Sequence, residues 1–369
     1  MAIHLAERPN GVNIYQVTTD KLDKSNIYCE LPYCSADSSL FVYQQQNPDT
    51  ETNRTEYLAC EFGTWKTEII GRGLGGPGMT HKGIFFYRRT VPGKCQELVR
   101  MDLNTREEKV IYEFPEDFQP RGLGTMSPNE RHYAYGVTIS YGPKMFGIEL
   151  IDLEQGTREI INTDPDICNP HTQFEPTNGE YIMVQHNRGC EFEPDGTRLK
   201  LVGDEGATEY LIHVPDGKVT PLQVGPPHTP GITGHEAWIA GTNEILMSVR
   251  AVDDYVLEKG NLIKVGPGKA PERVGAPGYR FNHVGTSPCG KYYFCDDWRG
   301  ASKLIVGNIQ TGKTVQICEA HTSMGKSQST HGHPYLSPDL KWLVFNSDRT
   351  VRPQIHVASV PKELIESLD

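Results

Sequence analysis

Three histidines and a glutamine in the last third of the chain are spaced as ligands for a divalent metal. The run Gln328-Ser329-Thr330-His331-Gly332-His333 sets two imidazoles two residues apart, and residues two apart on a strand face the same way. With His283 they make a set of three imidazole nitrogens and one amide oxygen that leaves coordination positions open, as a catalytic metal requires. By ligand type the set suits manganese, iron, nickel or zinc about equally. An HxH pair alone says little, because paired histidines also occur on exposed strands. The position of His283 and of two further histidines in a repeat gives it weight.

His171, His235, His283 and His333 each stand four residues ahead of a tight turn that runs directly into a strand. The turn recurs seven times. The copies read LPYCSADSSLFVY from Leu31, GGPGMTHKGIFFY from Gly75, GLGTMSPNERHYAYG from Gly122 and HTQFEPTNGEYIMV from His171. They continue as HEAWIAGTNEILMSV from His235, HVGTSPCGKYYFCDD from His283 and HPYLSPDLKWLVFNSD from His333. Anchored on Ser35, Thr80, Ser127, Glu175, Ile239, Ser287 and Ser337, the gaps are 45, 47, 48, 64, 48 and 50 residues. Periods of this size mark four-stranded propeller blades. With 13 histidines in 369 residues, composition would fill a given slot about once in 28 (369/13). Four consecutive copies with histidine in one slot therefore point to a shared face near the axis of the ring.

The expected fold is all-β, a single seven-bladed β-propeller spanning residues 1–369. Within a copy the strand after the turn is followed by a third, such as KLIVGNI from Lys303 or QIHVASVP from Gln354, and often by a fourth. The seventh copy runs out after its third strand, so a strand near residues 11–19 is expected to close the ring and remove its exposed edges. The tail KELIESLD is expected to form one short helical turn on the surface. The long gap holds NRGCEFEPDGTRLKLVGDEGAT, residues 187–208, which reads either as a loop over the site or as a solvated hairpin extension. The 37 Gly and 26 Pro suit a chain of short strands and turns.

A net charge of −11 argues against nucleic acid or an anionic membrane as partner. It leaves room for an anionic small substrate drawn by a local metal and arginine. The nine cysteines are odd in number and include no CxxC pair, so neither a disulfide framework nor a zinc ribbon is indicated. The opening MAIHLAERPNGVNIYQ lacks a basic stretch followed by an apolar core, so no secretory leader and a cytoplasmic, reducing location are expected. GRGLGGPG, residues 71–78, lacks the GK[ST] ending of a phosphate loop. Asp296-Asp297-Trp298 reads as the end of a blade strand with turn acids. The absence of a GxSxG elbow excludes the peptidases that join a propeller to a hydrolase domain.

The QxxHxH before a final SPD turn, HxxxSPxG one blade earlier and GHExW before that resemble oligogalacturonate lyases. HTQFEPT (residues 171–177) and the Gln185-His186 pair resemble that family too. The resemblance covers roughly residues 165–360. It implies a seven-bladed propeller that cleaves uronate oligosaccharides by β-elimination with bound Mn²⁺. It also implies His283, Gln328, His331 and His333 as metal ligands and His235 as the base. The chemistry suits these residues: a metal on the uronate carboxylate neutralises it and stabilises charge building on the adjacent carbon, and a neutral imidazole takes the proton. The alternative for His235 is a core histidine hydrogen-bonded inside the channel.

His171, Gln173, His186 and Arg188 are assigned to substrate contact, the alternative for His171 and Gln173 being polar residues that line the channel. The chain departs from the family pattern at Ala207-Thr208-Glu209-Tyr210, where the family carries an arginine and this chain has Thr208. Arg188, Arg198, Arg121 and Arg299 are the candidate substitutes, and the sequence does not choose among them. Rival readings are another metal-assisted enzyme acting on an acidic sugar, and a non-catalytic TolB- or WD40-like propeller that binds a protein partner.

Overall fold

The recurrent turn explains why each copy folds as it does. In a computed structural model, which describes residues 2–8, 10–28, 30–93, 95–116 and 118–369, the turn serine caps its own loop. The hydroxyl oxygens of Ser35, Ser127, Ser287 and Ser337 accept the main-chain N–H five residues on, from Leu40, His132, Tyr292 and Trp342. Glu175 does the same work with a carboxylate, which accepts from Thr177, Asn178 and Gly179. The turn needs a left-handed residue. Ser38, Glu130 and Leu340 accept that conformation, whereas Gly290 supplies it where a side chain would strike Ala240.

Seven antiparallel sheets result. The first four blades comprise strands within Lys24–Gly73, Gly78–Glu113, Pro120–Asp164 and Gln173–Pro221, and the next two lie within Ile232–Arg273 and Phe281–Glu319. The seventh sheet has five strands: Tyr335–Leu336, Trp342–Ser347 and Gln354–Ser359 are joined by Asn13–Gln16 and then Ile3–Glu7. Ile14 pairs with Ala358 and Gln16 with His356. The N-terminal segment thus supplies two strands to the last blade, one more than the repeat count implies. In four blades the innermost strand has only two or three residues, Lys24–Asn26, Gly78–Met79, Gln173–Phe174 and Tyr335–Leu336, and the strand behind the last of these, Trp342–Ser347, has five of six residues buried.

The segment at residues 187–208 forms a hairpin, Glu191–Phe192 against Arg198–Lys200. It is not freely solvated: Cys190 is 1% exposed, and Phe192 packs against Phe146 and Tyr141 of the preceding blade. The helix Lys362–Glu366 is also more than a surface turn, because Ile365 and Leu368 are buried. The eight described cysteines are free thiols, six of them buried; Cys29 lies outside the described residues. Among the described residues no helix is long and apolar enough to cross a membrane.

Candidate active site

The innermost strands all start on one face, and the histidine slot lies at those starts. Phe281–Thr286 carries His283 at its third residue and Ile232–Ile239 carries His235 at its fourth, while His171 and His333 stand two residues ahead of their strands. His171 and His333 both adopt left-handed φ, 46° and 43°, a strained state that non-glycine residues hold only where packing enforces it.

Three of the four predicted ligands converge. His283, His331 and His333 are buried, and one ring nitrogen of each lies within 4.8 Å of the others. Their ring centroids are 4.1 to 5.7 Å apart. His331 and His333 do not lie on a strand. They occupy a bend between the 3₁₀ turn Gln328–Thr330 and the strand that begins at Tyr335, so the left-handed turn at His333, not strand alternation, sets their relative aim. Gln328 is exposed on that 3₁₀ turn, and its main-chain oxygen accepts the His331 N–H.

Of the three ring nitrogens turned to the cluster two have no protein partner, and the third, His283 Nε2, meets only the Asn282 side-chain amide at 3.3 Å. The His331 Nε2–H donates to the Gly325 carbonyl at 2.8 Å, which leaves Nδ1 with its lone pair, buried and without a partner. His333 Nε2 is likewise buried and unpartnered. His283 Nδ1–H donates to Asp296 Oδ2 at 2.7 Å, turning Nε2 toward the cluster. Burial, reinforced by the neighbouring imidazoles, holds His283 and His333 well below the usual histidine range. They are therefore neutral, the form that binds metal. By donor type and protonation state the residues fit a divalent transition ion.

Asp296 is the residue that sequence reasoning misplaced. Instead of a turn acid it is a fully buried strand residue. Oδ1 accepts the His283 main-chain N–H at 2.9 Å, and the carboxylate also takes the His333 main-chain N–H. Burial lifts its pKa to about 6 against the pull of these donors, so at neutral pH it is the anion that orients the histidine ligand. Gly332 allows this approach, since a Cβ there would lie 3.3 Å from Asp296 Oδ2. Trp298 closes the outer side, edge-on to His283 and His331.

His235 adjoins the cluster, its ring 4.3 Å from that of His283. Its Nδ1 is hydrogen-bonded to Glu30 Oε1 at 2.7 Å. Burial pushes His235 down to about 4, and burial together with the charge of Glu236 pushes the Glu30 carboxyl well up. A protonated Glu30 donates to Nδ1 and leaves the ring proton on Nε2, whereas an ionised Glu30 accepts from Nδ1–H and leaves the Nε2 lone pair free. Glu30 precedes the first turn copy and carries no motif, so only the closed ring reveals it.

His171 Nδ1 bonds Glu236 Oε1 at 3.0 Å, and Tyr28 lies edge-on between His171 and His333. Gln173 is a strut: its Nε2–H donates to the Glu236 carbonyl and its own carbonyl accepts from Trp238 Nε1. A cavity of about 80 Å³ adjoins Glu30 and is lined also by Gln173, Trp238, Lys82 and Pro128.

The structure separates His186 and Arg188 from this group. His186 pairs with Asp164 at 3.1 Å. The Arg188 guanidinium donates to the carbonyls of Gly206, Glu205 and Pro226, and so pins the root of the 187–208 hairpin. Arg121 is held by the Cys168 carbonyl, Thr138 and Tyr141, and Arg299 by Asp297 and the Gly278 carbonyl. Thr208 donates its hydroxyl to the Val224 carbonyl. These side chains are committed to the scaffold.

Fold and site together define a seven-bladed propeller with a buried, metal-competent histidine centre on its axis. No protein-family model matches the chain. Among curated proteins it is 25% identical to the oligogalacturonate lyase of Dickeya dadantii over 72% of this chain and 73% of that one. It is 28% identical to the oligogalacturonide lyase of Pectobacterium atrosepticum over the same shares. Among solved structures it superposes on an oligogalacturonate lyase from Vibrio parahaemolyticus with a TM-score of 0.72 at 16% identity, covering 99% of this chain and 98% of that one. An oligogalacturonate lyase in complex with manganese gives 0.74 at 16% identity, with 99% and 97% covered. The chain is thus similar to oligogalacturonate lyases in sequence over about three quarters of its length and in fold over nearly all of it.

Proposed function

We propose that the protein cleaves short uronate-containing oligosaccharides by metal-dependent β-elimination, with Mn²⁺ as the ion. The observation that carries this is the pairing of a metal-competent cluster, His283, His331 and His333, with a neutral imidazole beside it that is not needed as a ligand. A divalent ion held there neutralises the substrate carboxylate and stabilises charge that develops next to it. Gln328, exposed on the turn just before the cluster, is the fourth ligand in this reading.

His235 Nε2 accepts the proton from the carbon beside the carboxylate. Glu30 holds Nδ1–H, which fixes the tautomer and stabilises the imidazolium as it forms, in the manner of the carboxylate of a catalytic triad. His171 and Tyr28 face the substrate from the next positions round the ring. The relatives' names support an oligogalacturonide as substrate, and the manganese complex of a structural neighbour supports the ion. Eight free thiols support a reducing, cytoplasmic setting.

The test is a screen of uronate oligosaccharides followed by near-ultraviolet absorbance. Elimination leaves a double bond conjugated to the carboxylate, whereas hydrolysis or epimerisation does not. Cleavage without that absorbance would assign the protein to another reaction.

A further inference from the structure

We propose a second cation site beside the histidine centre, formed by Glu30, Glu236 and His171, for a divalent ion of the Mn²⁺ kind. One ligand atom from each lies within 4.8 Å of the others. His171 Nδ1 is 3.0 Å from Glu236 Oε1 and 3.8 Å from Glu30 Oε2. The two carboxylate side chains are 2% and 0% exposed, so water does not solvate their charge.

An independent observation points to a ligand. Glu236 Oε2, both carboxylate oxygens of Glu209 and Gln185 Oε1 are buried and have no hydrogen-bond partner. Gln185 and Glu209 are cross-strand partners and share a face. Gln185 Oε1 reaches to 2.9 Å from where a Cβ of Gly234 would stand, two residues before Glu236. Glycine at 234 keeps that space open for the amide oxygen.

The Glu209 carboxyl is pushed well up by burial and then by the charges of Glu236 and Glu30, which places it within their field. Two carboxylates therefore meet in the protein interior around His171, with the unpartnered oxygens of Glu209 and Gln185 also buried. Buried charge of one sign requires a partner. Either shared protons or a cation satisfies it, and the unused oxygens favour a cation. Carboxylate and amide oxygens with one imidazole make a hard, mixed donor set that suits Mn²⁺.

Such an ion would take the place of the proton on His171 Nδ1 and keep Glu30 anionic. Glu30 Oε1 bonds His235 Nδ1, so occupancy would lock the His235 tautomer that leaves Nε2 free. The proposal stands apart from the elimination reading, because it is read by counting ions and not by turnover.

The experiment uses the full chain, dialysed against chelator and then equilibrated with Mn²⁺, with bound metal counted by mass spectrometry. Two ions per chain are expected. Glu236→Gln should retain one and bind the second at least tenfold more weakly. One ion in the unmodified protein, or two in Glu236→Gln with unchanged affinity, overturns the proposal. If Glu236→Gln does not fold, the double variant His331→Ala/His333→Ala decides: one retained Mn²⁺ supports the carboxylate site, and none shows that protons alone hold the cluster together.

Discussion

Replacing Asp296 with asparagine tests how the centre is built, because the change keeps shape and removes only charge and one acceptor. Three N–H groups converge on this carboxylate: the His283 main chain at 2.9 Å, the His283 ring at 2.7 Å and the His333 main chain. Asparagine offers one carbonyl oxygen and sets its NH₂ against at least one of those donors. If the NH₂ faces the ring, His283 Nδ1 must become an acceptor, and the ring proton moves to Nε2, the nitrogen that faces the cluster. If it faces the main chain, a buried N–H loses its partner, which costs about 1–3 kcal/mol of stability. Loss of such an orienting carboxylate typically weakens metal binding by about 10–100-fold, or about 1.4–2.7 kcal/mol. Equilibrium dialysis with Mn²⁺ reads the affinity, and a thermal melt separates it from the stability cost. A folded Asp296→Asn protein that keeps the parent's thermal midpoint and binds Mn²⁺ within about twofold of the parent would refute the reasoning, since each orientation of the amide entails one loss or the other.

His235→Ala should lose about 10²–10⁴-fold in turnover while keeping the histidine-centre ion, read by elimination rate and metal content on one sample; release of that ion would make His235 a ligand. His283→Ala and His333→Ala should each lose that ion and activity together while remaining folded by circular dichroism. Acid sensitivity has a separate source in His356, fully buried against Phe345 and pushed down to about 3 by burial. Its folded pKa lies below the unfolded value of about 6.5, so the unfolded chain takes the proton first as pH falls. The stability it contributes is complete above about 6.5 and is lost toward about 3. Between pH 7 and 5 the loss is about 2 kcal/mol, and urea titrations of His356→Leu at the two pH values should show a correspondingly smaller difference than the parent.

The blades were legible because one local device, a turn that caps itself, recurs at near-constant spacing and fixes the slot four residues upstream of it, at or near the start of the innermost strand. That registration brought His235, His283 and His333 to one face without any tertiary information, and neighbouring blades set their rings about 4 Å apart. What escaped depends on contacts between distant blades. Glu30 lies 205 residues from His235, and nothing local marks it. Asp296 was misread because acids at a strand end are usually turn residues. The available signal was an apolar run, Tyr292–Cys295, that continued into it, all of it buried. The HxH pair was placed on a strand by alternation, but a 3₁₀ turn and a left-handed His333 position it instead. Arg188 looked free for substrate because sequence cannot show that its N–H groups are used by loop carbonyls.

The central claim is that the histidine centre drives elimination. The measurement that tests it most directly is near-ultraviolet absorbance during digestion of an oligogalacturonide, made with chelator-stripped protein and again after Mn²⁺ is restored. The account predicts no absorbance from the stripped protein and full recovery with Mn²⁺. An undiminished rate of product formation in the stripped protein would contradict it.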